Sequence, residues 1–351
     1  MIPQIPRFVK SRAPESAVGR SAVLVYDVQR CSPKRRRADP ESEATMRELS
    51  YYIIDAFTAE RYSGNPAAVV LDADGLTDDH MRAIAREFNL SETAFVTRSS
   101  TPDAPIALRW FTPTTEVEMC GHATLAAVHA LVESGKYINL PDDKGTMLPI
   151  QTAKAILTVR CEKQDKQEGE SFLVWLDLST PRLTKKQCAP KLWGHMLDVP
   201  PDQFDMNMPA MQTQDDDVLV FVTSVQVLLA ANPDPKELAK FSRQQRVRGW
   251  CLASTQTLTP SIDVQSRFFA PAVGIDEDPV TGSVHGPLAA YLVSSGVVPT
   301  LRDMSALTCT QSHSSGRAGL IRVVVVREEG TGYRVRIGGQ CITVMKGKLY
   351  V

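Results

Sequence analysis

Arg109-Trp110-Phe111-Thr112-Pro113, a short acidic loop and then Cys120-Gly121-His122 lead into a small-residue helix that closes at Ser134-Gly135. The chain then says nearly the same thing again. Arg267-Phe268-Phe269-Ala270-Pro271, a second acidic loop and Thr281-Gly282-Ser283 lead into a helix that closes at Ser295-Gly296. Laid side by side, the helices match at Gly121/Gly282, Leu131/Leu292, Val132/Val293, Ser134/Ser295 and Gly135/Gly296. Two copies imply a duplicated domain, and a duplicated domain offers a cleft between its halves, a favoured place for a ligand. The positions where the copies differ, Cys-Gly-His against Thr-Gly-Ser, are where chemistry should be sought.

Each repeat helix is apolar nearly all round, as expected of a helix wrapped by a sheet rather than lying on a surface. Ahead of the first copy, residues 51–57 and 67–71 read as strands joined through the turn chemistry of Gly64-Asn65-Pro66. Thr77 caps a helix with Asp78 and Asp79 in its first turn. Its apolar positions Met81, Ile84, Ala85 and Phe88 form one stripe, and Asn89 stops it. Residues 91–97 read as a strand with Glu92 in its opening turn, 150–152 and 156–161 as a hairpin, and 162–170 as a polar linker. Strands are expected at 172–178, 218–223, 262–269, 320–326, 333–337 and 341–345. Residues 183–217 fit no period and read as an insertion. The expected division is an extension at 1–49, a first domain at 50–164 and a second at 165–351.

A chain of 351 residues exceeds the usual single core, which again favours two domains. With 43% hydrophobic and 23% charged residues, it has a soluble globular composition. The net charge of −1 hides an asymmetry: residues 1–37 hold nine Lys/Arg and two Asp/Glu, so +7 there leaves −8 elsewhere. A body of that charge argues against a nucleic-acid partner. The basic run Lys34-Arg35-Arg36-Arg37 fits a nuclear or organellar address, or simply a solvated disordered extension. Seven scattered cysteines with no CxxC pair favour free thiols in a reducing, cytoplasmic setting. The most apolar stretch, 218–231, is too short to span a membrane, so no membrane partner is expected.

Both repeat helices start at a glycine. A helix start presents unpaired N–H groups and a partial positive charge, and two such starts facing one cleft would hold a small carboxylic acid. The alternative is that these glycines only permit close helix–strand packing. Glu92 is an acidic residue among small and apolar ones. Placed inward it would be desolvated and its pKa raised, as a proton-transfer group needs; placed outward it is an ordinary surface glutamate. Cys120 and His122 fit a thiol nucleophile with its base, or, with His129, a metal site. Both are disfavoured, because neighbouring positions at a helix start do not easily aim at one atom and no fourth ligand is suitably spaced. One member of Asp276-Glu277-Asp278 is a site candidate by position. His195, His285 and His313 read as structural.

Taken together, Gly64-Asn65-Pro66-Ala67-Ala68-Val69-Val70, Leu90-Ser91-Glu92-Thr93-Ala94-Phe95-Val96, Phe111-Thr112-Pro113 with Cys120-Gly121-His122-Ala123-Thr124, and Glu277-Asp278-Pro279-Val280-Thr281-Gly282-Ser283 resemble the signature segments of the PhzF-like (phenazine biosynthesis) isomerase family. The resemblance implies an α/β (α+β) fold of two pseudo-symmetric diaminopimelate epimerase-like domains, each a β-barrel around a central helix. It also implies a homodimer, no cofactor, no metal and a small carboxylic acid substrate. The family's isomerase rearranges a dihydro-hydroxyanthranilate by moving a proton with one glutamate. Carried over, that residue is Glu92, with His122 and Asp278 assisting and Gly121, Gly282, Ser283, Cys120 and Thr281 contacting substrate. Related racemases use two facing thiols, and here the second position is Thr281. The segment Gln311-Ser312 to Gly316-Arg317-Ala318-Gly319 departs from the family pattern, so the substrate is not carried over. The function expected is a cofactor-independent isomerase acting on a small cyclic or unsaturated carboxylic acid. The alternatives are a non-catalytic metabolite-binding or regulatory protein on the same fold, and a thiol-dependent epimerase.

Overall fold

A computed structural model describes residues 46–136, 145–164, 171–178, 180–328, 330 and 332–351. The basic run at 34–37 lies outside the described residues. Strand β1 (Glu48–Ala56) already includes the last two positions expected in the extension, and Leu49 is buried there. β1 pairs antiparallel with β2 (Asn65–Val70), and α1 (Asp78–Phe88) crosses over to β3 (Thr93–Arg98), parallel to β2. β4 (Ile106–Phe111) and the short β5 (Glu116–Val117) follow, then α2 (Gly121–Glu133). β6 (Thr146–Gln151) lies parallel to β4, and β7 (Ile156–Gln164) and β8 (Ser171–Leu178) extend the sheet antiparallel.

The chain then runs through β9 (Leu183–Lys185) and α3 (Pro190–Leu197) and repeats the same plan. β10 (Met211–Thr213) pairs with β11 (Asp217–Phe221). The crossover is now α4 (Val225–Ala230) with α5 (Pro235–Gln245), leading to β12 (Gly249–Ser254), parallel to β11. β13 (Val264–Ala270), β14 (Ile275–Asp278) and α6 (Gly282–Ser294) match β4, β5 and α2. β15 (Met304–Ser312), parallel to β13, then leads to β16 (Ala318–Arg327) and β17 (Tyr333–Gly339). β8 pairs with β17, so one sheet continues through both halves, which pack as a single unit from Met46 to Val351. Finally β18 (Cys341–Tyr350) returns to pair with β1, just as β9 pairs with β10. Residues 183–217 thus supply β9 and β10, which stand where β18 and β1 stand in the first half.

Local chemistry explains the helices. The Thr77 hydroxyl accepts the His80 N–H at 3.2 Å, and Asn89 ends α1 at φ 50°. Met81, Ile84 and Ala85 pack on Leu49, Val70, Phe95 and Phe111 on one face of the first sheet. In the second half, Trp193, Leu228, Leu238 and Phe241 of the outer helices cover Trp250 and Leu252. The repeat helices are different in kind. α2 is buried from His122 to Val128, and α6 from Val284 to Val293, with sheet around each. Pro287 inside α6 removes the N–H that would meet the Ser283 carbonyl, yet the helix continues. Among the described residues, no helix is long and apolar enough to cross a membrane.

Leu292 on α6 is fully buried, whereas Leu229 on α4 is 43% exposed. Leu292→Ala is expected to lower unfolding free energy by about 2–5 kcal/mol in urea denaturation. Leu229→Ala should stay within about 0.5 kcal/mol of the parent.

Candidate active site

The repeated Arg-aromatic segments do the same work in each half. Arg109 Nε meets Glu116 Oε1 at 2.7 Å, and Arg267 Nε meets Glu277 Oε1 at 2.7 Å. Arg109 also lies over Phe111 at 5.1 Å, and Arg267 over Phe269 at 4.9 Å. Each ion pair ties a strand to the acidic loop that delivers a helix start. Neither N-cap side chain, Cys120 or Thr281, accepts a hydrogen bond from its helix. The N–H groups of both first turns therefore remain without a capping side chain.

Both starts open into one cavity of about 250 Å³. All the expected site residues line it: Glu92, Cys120, Gly121, His122, Asp278, Thr281, Gly282 and Ser283. A larger hollow of about 460 Å³, bordered by Lys186, Cys188, Phe204 and Met208, contains none of them. Size alone does not mark the chemistry here.

Glu92 immediately precedes β3 and is turned inward, its side chain 14% exposed, so it is not a surface strand residue. Its Oε2 lies 3.4 Å from His122 Nε2, with Ser91 Oγ 3.4 Å from the same nitrogen. On the other side of the ring, Nδ1 is 3.4 Å from Cys120 Sγ. Burial pushes the Cys120 thiol well above its ordinary pKa, and the nearby Glu92 charge adds to this. The sulfur thus keeps its proton and lies within hydrogen-bonding reach of Nδ1, while Nε2 faces Glu92.

One expectation is corrected by this geometry. Cys120 and His122 do converge, because the N-cap cysteine has extended backbone (φ −142°, ψ 113°) and folds its side chain back beside the ring. With Glu92 they place three donor atoms within 4.8 Å of one another, one short of a closed tetrahedral set. His129 is not among them; it stacks on Phe172 at 5.0 Å and faces Glu133 at 3.5 Å.

Of the acidic triplet, Glu277 is committed to Arg267, and Asp278 is the member that reaches the cavity. Its Oδ1 accepts from Asn65 Nδ2 at 2.8 Å and its Oδ2 from the Thr281 hydroxyl. Burial lifts the Asp278 carboxyl above the ordinary range, against the pull of His122. Asn65 also donates to the Val280 carbonyl at 2.9 Å and sits 3.5 Å from His122 Nδ1, so it touches both halves of the site. Gln311 completes the frame: its Oε1 accepts the Thr281 N–H at 2.9 Å, and its Nε2 donates to the Asp278 carbonyl at 2.7 Å.

Sequence reasoning took Asn65 for turn chemistry and Gln311 for one end of a divergent loop. It passed over Arg248, which also lines the cavity. His285 is structural as expected: it joins the Thr281 carbonyl at 2.8 Å to Ser266 Oγ at 3.2 Å, and burial pushes it down to about 4, leaving it neutral.

The sequence pattern of the family described as phenazine biosynthesis-like protein matches residues 54–347. An uncharacterized isomerase of Clostridium acetobutylicum is 32% identical over 305 residues, covering 87% of this chain and 99% of its own. The crystal structure of a Bacillus anthracis phenazine biosynthesis protein of the PhzF family is 25% identical, with a TM-score of 0.77 over 87% of this chain and 100% of that one. A hydroxyproline epimerase from Agrobacterium vitis, solved with trans-4-hydroxy-L-proline, is 12% identical; it shares the fold, with a TM-score of 0.56 over 87% of this chain and 93% of that one.

The two glycines that start the helices are not equivalent. A Cβ on Gly121 would meet nothing within 4 Å, whereas one on Gly282 would lie 2.9 Å from Ile337 Cδ1 and 3.1 Å from the Phe57 ring. Close packing therefore accounts for Gly282 and not for Gly121, which leaves room in the cavity. Gly282→Ala should cost about 1–3 kcal/mol in chemical denaturation. Gly121→Ala should fold with stability within about 0.5 kcal/mol of the parent while losing ligand binding, and a large stability loss would contradict the assignment.

Proposed function

Because the chain belongs to the phenazine biosynthesis-like family, we propose that it is an isomerase that moves a proton between carbons of a small cyclic or unsaturated carboxylic acid, with Glu92 as both acid and base. One observation carries the proposal: the inward-facing Glu92 carboxylate, paired with His122, shares a small cavity with two helix starts whose N–H groups have no side-chain cap. A volume of about 250 Å³ suits a one-ring or short-chain acid.

In the proposed reaction, the Glu92 carboxylate takes a proton from a substrate carbon. The released electron pair spreads through the conjugated acid, and the added negative charge falls on oxygens facing the helix N–H groups. Glu92 then returns the proton to a different carbon, so atoms and charge balance without an oxidant or reductant. His122, 3.4 Å away, holds Glu92 through Nε2, while Asp278 positions the substrate's polar groups. Cys120, kept protonated by burial, serves as a donor to His122 rather than as a nucleophile. With Thr281 where a second thiol would stand, two-thiol racemisation is not supported.

The family likeness also supports a homodimer without a resident cofactor or metal, and the scattered free thiols support a cytoplasmic setting; the domain split at 50–164 and 165–351 is adjusted by β18, which joins the first half. Light scattering that finds a monomer would end the dimer part, and activity abolished by exhaustive chelation would end the metal-free part. A fluorescently tagged protein found in an organelle would end the cytoplasmic part.

The central test is deuterium uptake by cyclic carboxylic acids incubated with the protein in heavy water. Glu92→Gln, folded by circular dichroism, should slow uptake by about 10²–10⁴-fold. Uptake at the parental rate in that variant rejects the role.

A further inference from the structure

The sheet register shows what the second half carries at the position of the Glu92 corner. Phe95 faces Arg109 between β3 and β4, and Leu252 faces Arg267 between β12 and β13. Arg109 and Arg267 are repeat partners, so Phe95 corresponds to Leu252. Counting back, Ser91-Glu92 corresponds to Arg248-Gly249. Where the first half brings an acid to the cavity, the second brings a fixed cation.

Arg248 is gripped from behind. Its Nε donates to Asp217 Oδ1 at 2.9 Å and its Nη2 to Oδ2, and the Asp217 side chain is 1% exposed. Two parallel bonds fix the direction of the guanidinium fork. Nη2 also reaches toward Ser283 Oγ at 3.5 Å, at the start of α6, and Nη1 makes no hydrogen bond to a described residue. Phe268 lies under the guanidinium at 5.9 Å. A counter-ion needed only to neutralise Asp217 would not have to keep a free edge in the cavity.

We propose that Arg248, with Ser283 and the first N–H groups of α6, anchors the substrate's carboxylate. The substrate then lies with its acid on the second half and its labile carbon on the first, against Glu92; only this latter placement rests on the proton-transfer reading. Asp215 and Asp278 also line the cavity and add negative charge near Arg248, so the anion is confined to the guanidinium edge that faces Ser283. Arginine is required because a lysine cannot hold Asp217 and a ligand with one planar fork.

The test uses benzoate and its neutral isostere benzamide, titrated calorimetrically into the full chain. The parent should prefer benzoate by about tenfold or more. Arg248→Lys and Ser283→Ala should each weaken benzoate and leave benzamide unchanged. Arg248→Gln strands the buried Asp217 charge and risks misfolding, so the decisive variant is Arg248→Met with Asp217→Asn, which removes the pair together. That double variant should fold and bind both compounds equally. A retained preference for benzoate in it, or no preference in the parent, overturns the proposal. Benzoate binding involves no proton transfer, so its outcome stands apart from deuterium uptake in Glu92→Gln; either result can fail without the other.

Discussion

Two helices with almost no polar face impose the constraint from which the rest of this structure follows. α2 and α6 cannot lie against water on any side, so each is enclosed by a sheet that curls around it. Enclosure leaves a helix only its ends. The C-terminal ends close conventionally, with Gly135 and Gly296 in left-handed backbone at φ 62° and 76°. The N-terminal ends instead meet in the cavity, without side-chain caps. Helix starts without side-chain caps in a partly enclosed space favour an anionic guest, so the packing solution and the binding site have one cause.

Polar contacts between the halves keep these two ends in register. Asn65 from the first half reaches Asp278 and the Val280 carbonyl in the second. Asp55, fully buried, is met by Arg317 at 3.1 Å, and Phe57 accepts the Leu320 N–H at 2.8 Å. Phe57 adopts φ 62°, an uncommon backbone for a bulky residue, while its ring fills the space beside Gly282 and Gly339. Burying so many polar groups is tolerable only because each finds a partner. A shift of either half would strand several of them at once, so Glu92 and α6 hold their relative places.

Much of this was legible in the chain itself. The doubled segment located both central helices and their glycine starts, while the surroundings of Glu92 left inward and outward placement open, and the structure turns it inward. What escaped was information carried by the sheet. Arg248 has no repeat signal, because its counterpart is Ser91 and only strand register pairs them. β9 and β10, three residues each, are too short to show alternation. The crossover through α4 and α5 has no match in the single α1, so similarity between the copies is lost there. Convergence of Cys120 with His122 depended on cap backbone angles, which spacing alone does not reveal.

The route of the last strand has a further consequence for how the molecule is made. β18 lies beside β1, so the first barrel is finished by residues 341–350, after the whole second half has been traced. On the ribosome, β1 therefore lacks its β18 partner until residues 341–350 have emerged. An uncovered strand edge invites pairing with another nascent chain. The doubled architecture thus matures late and as a whole, and a product terminated before β18 would lack the strand that pairs with β1.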